Sequence, residues 1–559
     1  MERNNISREF KPFNELFSES LKSNWERPAL SNLGGDTIHY KDLAARIAQL
    51  HIFFASCGLK RGDKVAICAK NQANWGVAFL ATLTYGAVAV PILHEFKPAN
   101  IRHLISHSEA SILFVGDVIW EKMTEVDTGS VTVVSLVDFS VLQGNNSAAS
   151  ETAGNMAALF AERYPDGFGK NDVNYKPDEP EDLALINYTS GTSGFSKGVM
   201  IPYRALVSNI FFAKEVEPQM DNRSKVVAML PSAHMYGMMF EFLFEIMIGA
   251  EVFFLRRLPS PKVLLSAMAE VKPSVIIAVP MIIEKIYKQI LIPFISRGYM
   301  RLLLNLPVID QVVQQNIQQK LIHSFGGNFN EVIIGGAPFN KEAESFLKRI
   351  KFPMTIGYGM TECAPIITYV PHDKTRLYSC GKPVAGMEVK IDSADPFNIP
   401  GEILVKGVNV CLGYYKNEAA TEAAFRDGWF CTGDMGVIDA DGYLYIKGRC
   451  KSMILGPSGQ NIYPEEIENI LNNMPYVVES LVIEDNDKLV ALIFPDFEQV
   501  EEAGLDQRQL LEKLNENMKA ANLELPQYCK ISSVEVFPEE FEKTPKRSIK
   551  RYLYQRNTN

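Results

Sequence analysis

The chain has no CxxC pair and no histidine-rich stretch; its eight cysteines stand singly along 559 residues. That spacing excludes a disulfide framework and a thiolate zinc site, and suits reduced thiols. Nor is there an excess of basic charge. Lys and Arg number 56 against 66 Asp and Glu, for a net charge of −10, so a dedicated nucleic-acid face is not expected, because phosphate contacts need a basic surface. A long charge-free apolar run is also missing. The most apolar window, 238–255, carries Glu241, Glu245 and Glu251, whereas a bilayer span takes about 20 residues nearly free of charge. Buried protein core is the expectation there. The opening MERNNISREFKPFNELF lacks the uninterrupted apolar centre of a secretory signal. The expected compartment is therefore the cytoplasm, with peripheral membrane contact left open.

What is present is ordinary globular composition, 47% hydrophobic and 22% charged. The length exceeds what one hydrophobic core supports, so two or more domains are expected. From about residue 40 to 350, helix-like and strand-like segments alternate. KDLAARIAQLHIFFASCG is amphipathic and stops at Gly58; KVAICAK reads as a strand; WGVAFLATLTYGAVAVPI reads as helix into strand. ASILFVGD, KVVAMLP, SVIIAVP and EVIIGGA are further short β-branched runs closed by Gly, Pro or Asp. The alternation predicts βαβ units, parallel sheets with helices on both faces, and ligands at the carboxyl ends of the strands. Residues 143–154, QGNNSAASETAG, have few large apolar side chains and read as a surface loop. Over about 376–448 the pattern turns to short strands (GMEVKI, GEILVKG, GYLYIKG), which predicts a small β-barrel-like subdomain. The last stretch, 449–559, reads as a smaller α+β unit, with helices at EEIENILNN and QLLEKLNENMKAAN and strands at SLVIED and KLVALIF.

The most informative segment is YTSGTSGFSKG, Tyr188 to Gly198. Gly191, Gly194 and Gly198 alternate with Thr189, Ser190, Thr192 and Ser193, and Lys197 sits near the end. Glycine tolerates positive φ, so such a loop can turn successive N–H groups onto one oxyanion, with hydroxyls and an ammonium adding donors and charge. The apolar run at 183–186 reads as the strand that feeds it. A Walker A loop is excluded, because Gly198 rather than Ser or Thr follows the lysine. A flexible linker would need neither the strand nor the lysine.

This segment resembles the phosphate-binding loop of the adenylate-forming superfamily, which holds acyl-CoA synthetases, peptide-synthetase adenylation domains and luciferases. The family commonly has Pro where this chain has Ser196. Further family motifs recur in order: PSAHMYG (231–237), GGAP (335–338), GYGMTE (357–362), WFCTGD (429–434), GR (448–449) and NIYPEEIE (461–468). The resemblance covers nearly the whole chain, and IGGAPFN and ILGPSGQNIYPEEIE look most like long-chain fatty acyl-CoA synthetases. It implies an α/β fold, with a large AMP-binding domain over 1–448 holding two doubly wound sheets and the β-rich subdomain. A small mobile C-terminal domain over 449–559 would swing about a hinge at Lys451. The implied activity uses ATP, Mg²⁺ and CoA to activate a fatty acid, medium- to long-chain, as acyl-AMP and then to form the thioester.

By the same resemblance, Thr189 to Gly194 and Lys197 would hold the β- and γ-phosphates. Gly335, Gly336, Ala337 and Pro338 would form the adenine turn, and Tyr358 would stack on adenine beside Gly359. Thr361 would bond the α-phosphate and Glu362 would ligate Mg²⁺. Asp434 would accept from both ribose hydroxyls, with Arg449 across the sugar. His234 would gate the acid substrate, Gly459 would lie by the pantetheine channel, and MYGMMFEFLFEIMIG, otherwise plain core, would wall an acyl tunnel of adaptable methionines.

One departure stands out. The family usually ends in KTxxGKIxR, whose second lysine bridges substrate carboxylate and α-phosphate. Here the segment is KTPKRSIKR (543–551), which puts Ser548 in that place. Lys546 and Lys550 flank it by two residues and would share its face in a strand, so either could substitute. Three readings follow: a fatty acid–CoA ligase, a ligase loading an acyl carrier protein, and a nucleotide-binding protein with impaired adenylation.

Overall fold

The computed structural model describes residues 11–123, 128–144, 146–189, 196–257, 260–295, 309–456, 460–486, 488–544 and 548–556. Its largest sheet has eight strands in the order Gly413–Tyr414, Lys197–Pro202, Leu183–Thr189, Val88–Ile92, Lys64–Cys68, Ala110–Val115, Thr132–Ser135, Val141–Gln143. The five strands from Leu183–Thr189 to Thr132–Ser135 run parallel; the outer ones pair antiparallel. Helices Tyr40–Ser56 and Ala73–Tyr85 connect the early strands, and the second is buried at all but its last and second positions. A helix apolar all round must be covered on every side. Trp75 does this by stacking on Phe79 (5.0 Å) and meeting the edge of Phe242 (5.9 Å), which belongs to the second layer.

That second layer consists of two adjoining sheets. Lys225–Ala228, Glu251–Phe254 and Pro28–Asn32 run parallel in one, with Thr37–His39 antiparallel at its edge. Ile276–Ala278, Val332–Ile334 and Met354–Ile356 run parallel in the other. The Ser274 N–H donates to the Lys225 carbonyl (2.8 Å) and ties them together. Beyond them Met387–Asp392, Gly401–Gly407, Trp429–Ile438 and Leu444–Arg449 form an antiparallel sheet. The C-terminal residues have their own core, in which Ile467, Leu471, Val482, Ile493, Leu514 and Ala521 come together. There helices Pro464–Leu471 and Gln507–Glu524 cover the strands Val477–Asp485, Lys488–Pro495 and Ile531–Val536. Among the described residues no helix is long and apolar enough to cross a membrane.

The surface loop expected over residues 143–154 is corrected: Ser147–Gly154 is a helix. Asn146 caps it by accepting from the Ala149 N–H (3.3 Å), and Ala149 and Thr152 are buried where it meets Tyr40–Ser56. Alanine favours helix without any large apolar side chain, so a scarcity of bulky residues was not evidence of a loop. The window 238–255 is core, as expected, and Glu241 and Glu245 are buried with it.

Candidate active site

The site lies at the carboxyl ends of the parallel strands, where open α/β sheets bind ligands. Strand Leu183–Thr189 delivers the glycine-rich loop, and Lys197–Pro202 returns antiparallel with Thr189 opposite Lys197. Ser190, Gly191, Thr192, Ser193 and Gly194 lie outside the described residues. Lys197 does not project alone. Its Nζ sits 4.6 Å above the Tyr414 ring, and the Tyr414 hydroxyl donates to Glu362 Oε1 (3.0 Å). The Cys411 N–H donates to the Glu362 carbonyl (2.8 Å) and the Tyr415 N–H to the Gly198 carbonyl (2.7 Å). Burial and the Glu362 charge push the Tyr414 hydroxyl pKa up, so it stays a donor. Tyr414 is the link that motif reading missed; LGYY carries no signal of its own.

Thr361 and Glu362 form one short turn, Thr361–Cys363, and both are buried. Just before it, Gly359 faces a close backbone approach: a Cβ there would lie 2.3 Å from the Pro365 carbonyl oxygen. Gly335 and Gly336 follow the strand Val332–Ile334. The Gly335 N–H donates to the Ala278 carbonyl (3.1 Å), and Gly336 has φ +90°, which glycine adopts without strain. Ala337 and Pro338 continue that turn along the cleft wall.

Asp434 and Arg449 are directly opposed in the antiparallel pair Trp429–Ile438 and Leu444–Arg449. The register makes the ion pair, Arg449 Nε donating to Asp434 Oδ1 at 2.9 Å. The other carboxylate oxygen accepts from the Tyr358 hydroxyl at 2.6 Å. Burial raises the Asp434 pKa, and Arg449 and Tyr358 oppose that rise; the same pair raises Arg449. The result is a buried carboxylate held on two sides, with Arg449 more than half exposed toward the cleft.

His234 opens the segment PSAHMYG. Asn71 fixes the turn before it, donating to the Leu230 carbonyl (2.6 Å) and accepting from the Ser232 N–H (2.8 Å). The His234 ring then caps the next helix, Nδ1 accepting from the Tyr236 N–H (3.3 Å). The Tyr236 hydroxyl donates to the Ile333 carbonyl (3.0 Å), which joins this helix to the strand behind the Gly335–Pro338 turn.

A cleft of about 2980 Å³ collects Thr189, Lys197, His234, Gly336, Tyr358, Thr361, Glu362, Asp434, Arg449 and Lys451 on one lining. Ser548 and Lys550 reach the same lining from the C-terminal end of the chain. Lys543 pairs antiparallel with Ile549, and the Thr544 N–H donates to the Ser548 carbonyl (2.8 Å); the strand expected over 546–550 begins at Lys546, outside the described residues. The Lys550 ammonium pairs with Glu542. Arg551, next in the chain, donates to Glu468 (2.8 Å) on the helix Pro464–Leu471. Lys546 and Gly459 lie outside the described residues. No group of three His, Cys, Asp or Glu able to hold a metal occurs among the described residues. A lone buried carboxylate such as Glu362 suits a hard cation carried mostly by phosphates and water.

A smaller pocket of about 70 Å³ opens beside His234, Gly336, Gly357 and Thr361 and is walled by Phe212, Met235, Tyr236, Phe240 and Phe244. It is largely apolar, and the stripe expected to wall a tunnel supplies one side of it.

Comparison with known proteins agrees with this arrangement. The AMP-binding enzyme family matches residues 17–415, and the AMP-binding enzyme C-terminal domain matches 451–557. A long-chain-fatty-acid–CoA ligase of Mycobacterium bovis, FadD15, is 28% identical over 91% of this chain and 89% of its own. The anthranilate CoA ligase AuaEII, solved with anthranoyl-AMP, superposes with a TM-score of 0.77 at 18% identity, covering 98% of this chain and 96% of that one. O-succinylbenzoate CoA synthetase of Bacillus subtilis, solved with ATP and magnesium, gives 0.72 at 20% identity over 97% and 99%. With a family match over most of its length and motifs meeting in one cleft, the chain belongs to the AMP-binding enzymes.

Proposed function

We propose that this protein is an ATP-dependent acid–CoA ligase acting on fatty acids of medium to long chain. The observation that carries it is the continuity of the polar cleft, through His234, Gly336 and Thr361, with the apolar pocket. An acid whose chain enters that pocket leaves its carboxylate at the junction. The carboxylate attacks the α-phosphorus of ATP; the P–O bond to pyrophosphate breaks, and acyl-AMP forms. The CoA thiol, losing its proton, then attacks the acyl carbon and AMP departs with the carboxyl oxygen.

The first step gathers negative charge, and fixed cations and dipoles stabilise such a transition state. Lys197 and the glycine-rich loop would meet the β- and γ-phosphates and Thr361 the α-phosphate. Glu362 would hold magnesium, oriented by Tyr414. Asp434 and Arg449 would hold the ribose, with Tyr358 and the Gly335–Pro338 turn on the adenine. Lys550 or Lys546 would supply the cation that Ser548 does not. Residues 449–559 would turn about Lys451 to bring the Gly459 loop to the thiol for the second step.

Pyrophosphate release across straight-chain acids of rising length, with aromatic acids as contrast, tests this. Each acid is run with CoA and with a phosphopantetheinylated carrier protein. Release with fatty acids and thioester on CoA is the expected result. Thioester on the carrier alone selects the carrier-loading reading, and nucleotide binding without release selects the impaired one.

A further inference from the structure

The apolar pocket does not end in an apolar wall. Glu245 and Glu217 both line it, 0% and 4% exposed. Neither oxygen of the Glu245 side chain has a hydrogen-bond partner among the described residues, and Glu217 Oε1 has none either. A buried polar group without a partner is costly, and here three such oxygens belong to two residues that line one small space. The charged groups acting on them are other acids, Glu217 on Glu245 and Glu331 on Glu217, while amide side chains meet Glu217: Gln219 donates to its Oε2, and Asn330 also bonds it. Glu331 itself is satisfied, accepting from Tyr369, from the His372 N–H (2.9 Å) and from the His372 ring (3.1 Å). Burial raises both acids well above the usual carboxyl range, and Glu331 adds to the rise at Glu217, to about 8, so each can donate as well as accept near neutral pH.

The two acids stand away from the cleft. His234, Gly336, Gly357 and Thr361 border both the cleft and the pocket, whereas Glu217, Glu245 and Phe244 border the pocket alone. His234 caps the helical segment, and Tyr236, Phe240 and Phe244 follow at four-residue spacing along the pocket side. Glu245, eleven residues beyond His234 in the sequence, lies at most about 16 Å farther along at 1.5 Å per residue, because the π-helical turn Met239–Leu243 between them rises less per residue. Phe212, Phe240 and Tyr369 meet edge to face beside it, giving an acid-floored aromatic sleeve.

Resting on the reading of this pocket as the acyl site, we infer that the preferred substrate is a carboxylic acid carrying a hydrogen-bond donor, a hydroxyl or an amine, at the far end of its chain, recognised by Glu245 and Glu217. A chain of roughly ten to twelve atoms extends about 11–13 Å at about 1.2 Å per bond, and a hydrogen bond of about 3 Å to the acid covers the rest. A site built to bond a polar group discriminates strongly against the analogue lacking it, because its own groups are then left unpaired.

The test compares decanoate, 10-hydroxydecanoate and 10-aminodecanoate by pyrophosphate release, on wild type, Glu245→Gln and Glu245→Leu. Wild type should favour one or both ω-substituted acids over decanoate by at least about tenfold in kcat/KM. Glu245→Leu should reverse that order, and Glu245→Gln should retain the hydroxy acid while losing the amine. A wild-type enzyme that turns over decanoate as well as either substituted acid overturns the inference, whatever the variants do. If no acid releases pyrophosphate, the activity reading fails separately. Calorimetric binding of the same three acids to the wild-type protein then decides the pocket: tighter binding of a substituted acid upholds the inference, and equal or weaker binding overturns it.

Discussion

Asp434 is the point at which a local change should propagate most measurably into nucleotide binding. Its carboxylate, 6% exposed, accepts from Tyr358 on one oxygen (2.6 Å) and from Arg449 on the other (2.9 Å). Hydrogen bonds to a charged group contribute about 1.5–3 kcal/mol each. Asp434→Asn keeps the shape and removes the charge, so AMP should bind roughly ten- to a hundredfold more weakly. Tyr358→Phe keeps the ring and removes the one hydroxyl that orients the carboxylate, a loss of about 1 kcal/mol or some fivefold in affinity. If the Tyr358 hydroxyl acts through Asp434, it has nothing left to orient once the charge is gone. The double variant should then bind AMP no worse than Asp434→Asn alone, a coupling of about 1 kcal/mol. Isothermal titration of AMP into wild type, both single variants and the double variant measures this, with thermal unfolding of each as the control for folding. Free-energy losses that add to within about 0.5 kcal/mol would show that the hydroxyl and the carboxylate act independently, and the reasoning would be wrong.

Glu362→Ala should lower turnover by at least about a hundredfold, the scale for losing a principal charge stabiliser, read as initial rates of pyrophosphate release under saturating magnesium; a loss of less than tenfold would remove it as the metal ligand. Lys550→Ala and Lys546→Ala should each be assayed for acyl-AMP formation in a single turnover, and at least one should slow it; two unaffected variants would mean that neither lysine replaces the group missing at Ser548. Glu217, with its pKa raised to about 8 by burial and by Glu331, is neutral in the folded protein where the unfolded chain carries it ionised. Its cost to stability is therefore absent below about pH 4.5, grows as pH rises and is complete by about pH 8. The stability advantage of Glu217→Gln over wild type should widen across that window to a few kcal/mol, at about 1.4 kcal/mol per pH unit. Urea midpoints at pH 5, 6.5 and 8 check the sign, and a difference constant in pH would refute it.

The elements that declare themselves locally were legible before the structure. Helix Ala73–Tyr85 stops at Gly86 with φ +82°, and the strands of the parallel sheet are short β-branched runs closed by turn residues. Four of the site motifs were legible because each sits at or just after the end of such a strand (YTSGTSG, PSAHMYG, GGAP and GYGMTE), whereas WFCTGD lies within an antiparallel strand. Pairings between distant segments were not: Tyr414 meets Glu362 from 52 residues away, and Arg551 meets Glu468 from 83. Such contacts depend on how sheets dock, which no local period encodes. Glu241 and Glu245 make the point most sharply. They sit four residues apart on one buried helical stripe and look alike in the sequence. Glu241 Oε2 accepts from the Leu230 N–H at 2.9 Å, and Gly237 is what allows the helix so near: a Cβ there would lie 2.8 Å from Leu230 Cβ and 3.2 Å from that same carboxylate oxygen. One turn on, the Glu245 side-chain oxygens have no hydrogen-bond partner among the described residues. The same residue type on the same stripe is thus a structural brace at one position and a buried acid without a partner among the described residues at the next, and the difference is made by the neighbouring strand end rather than by the helix.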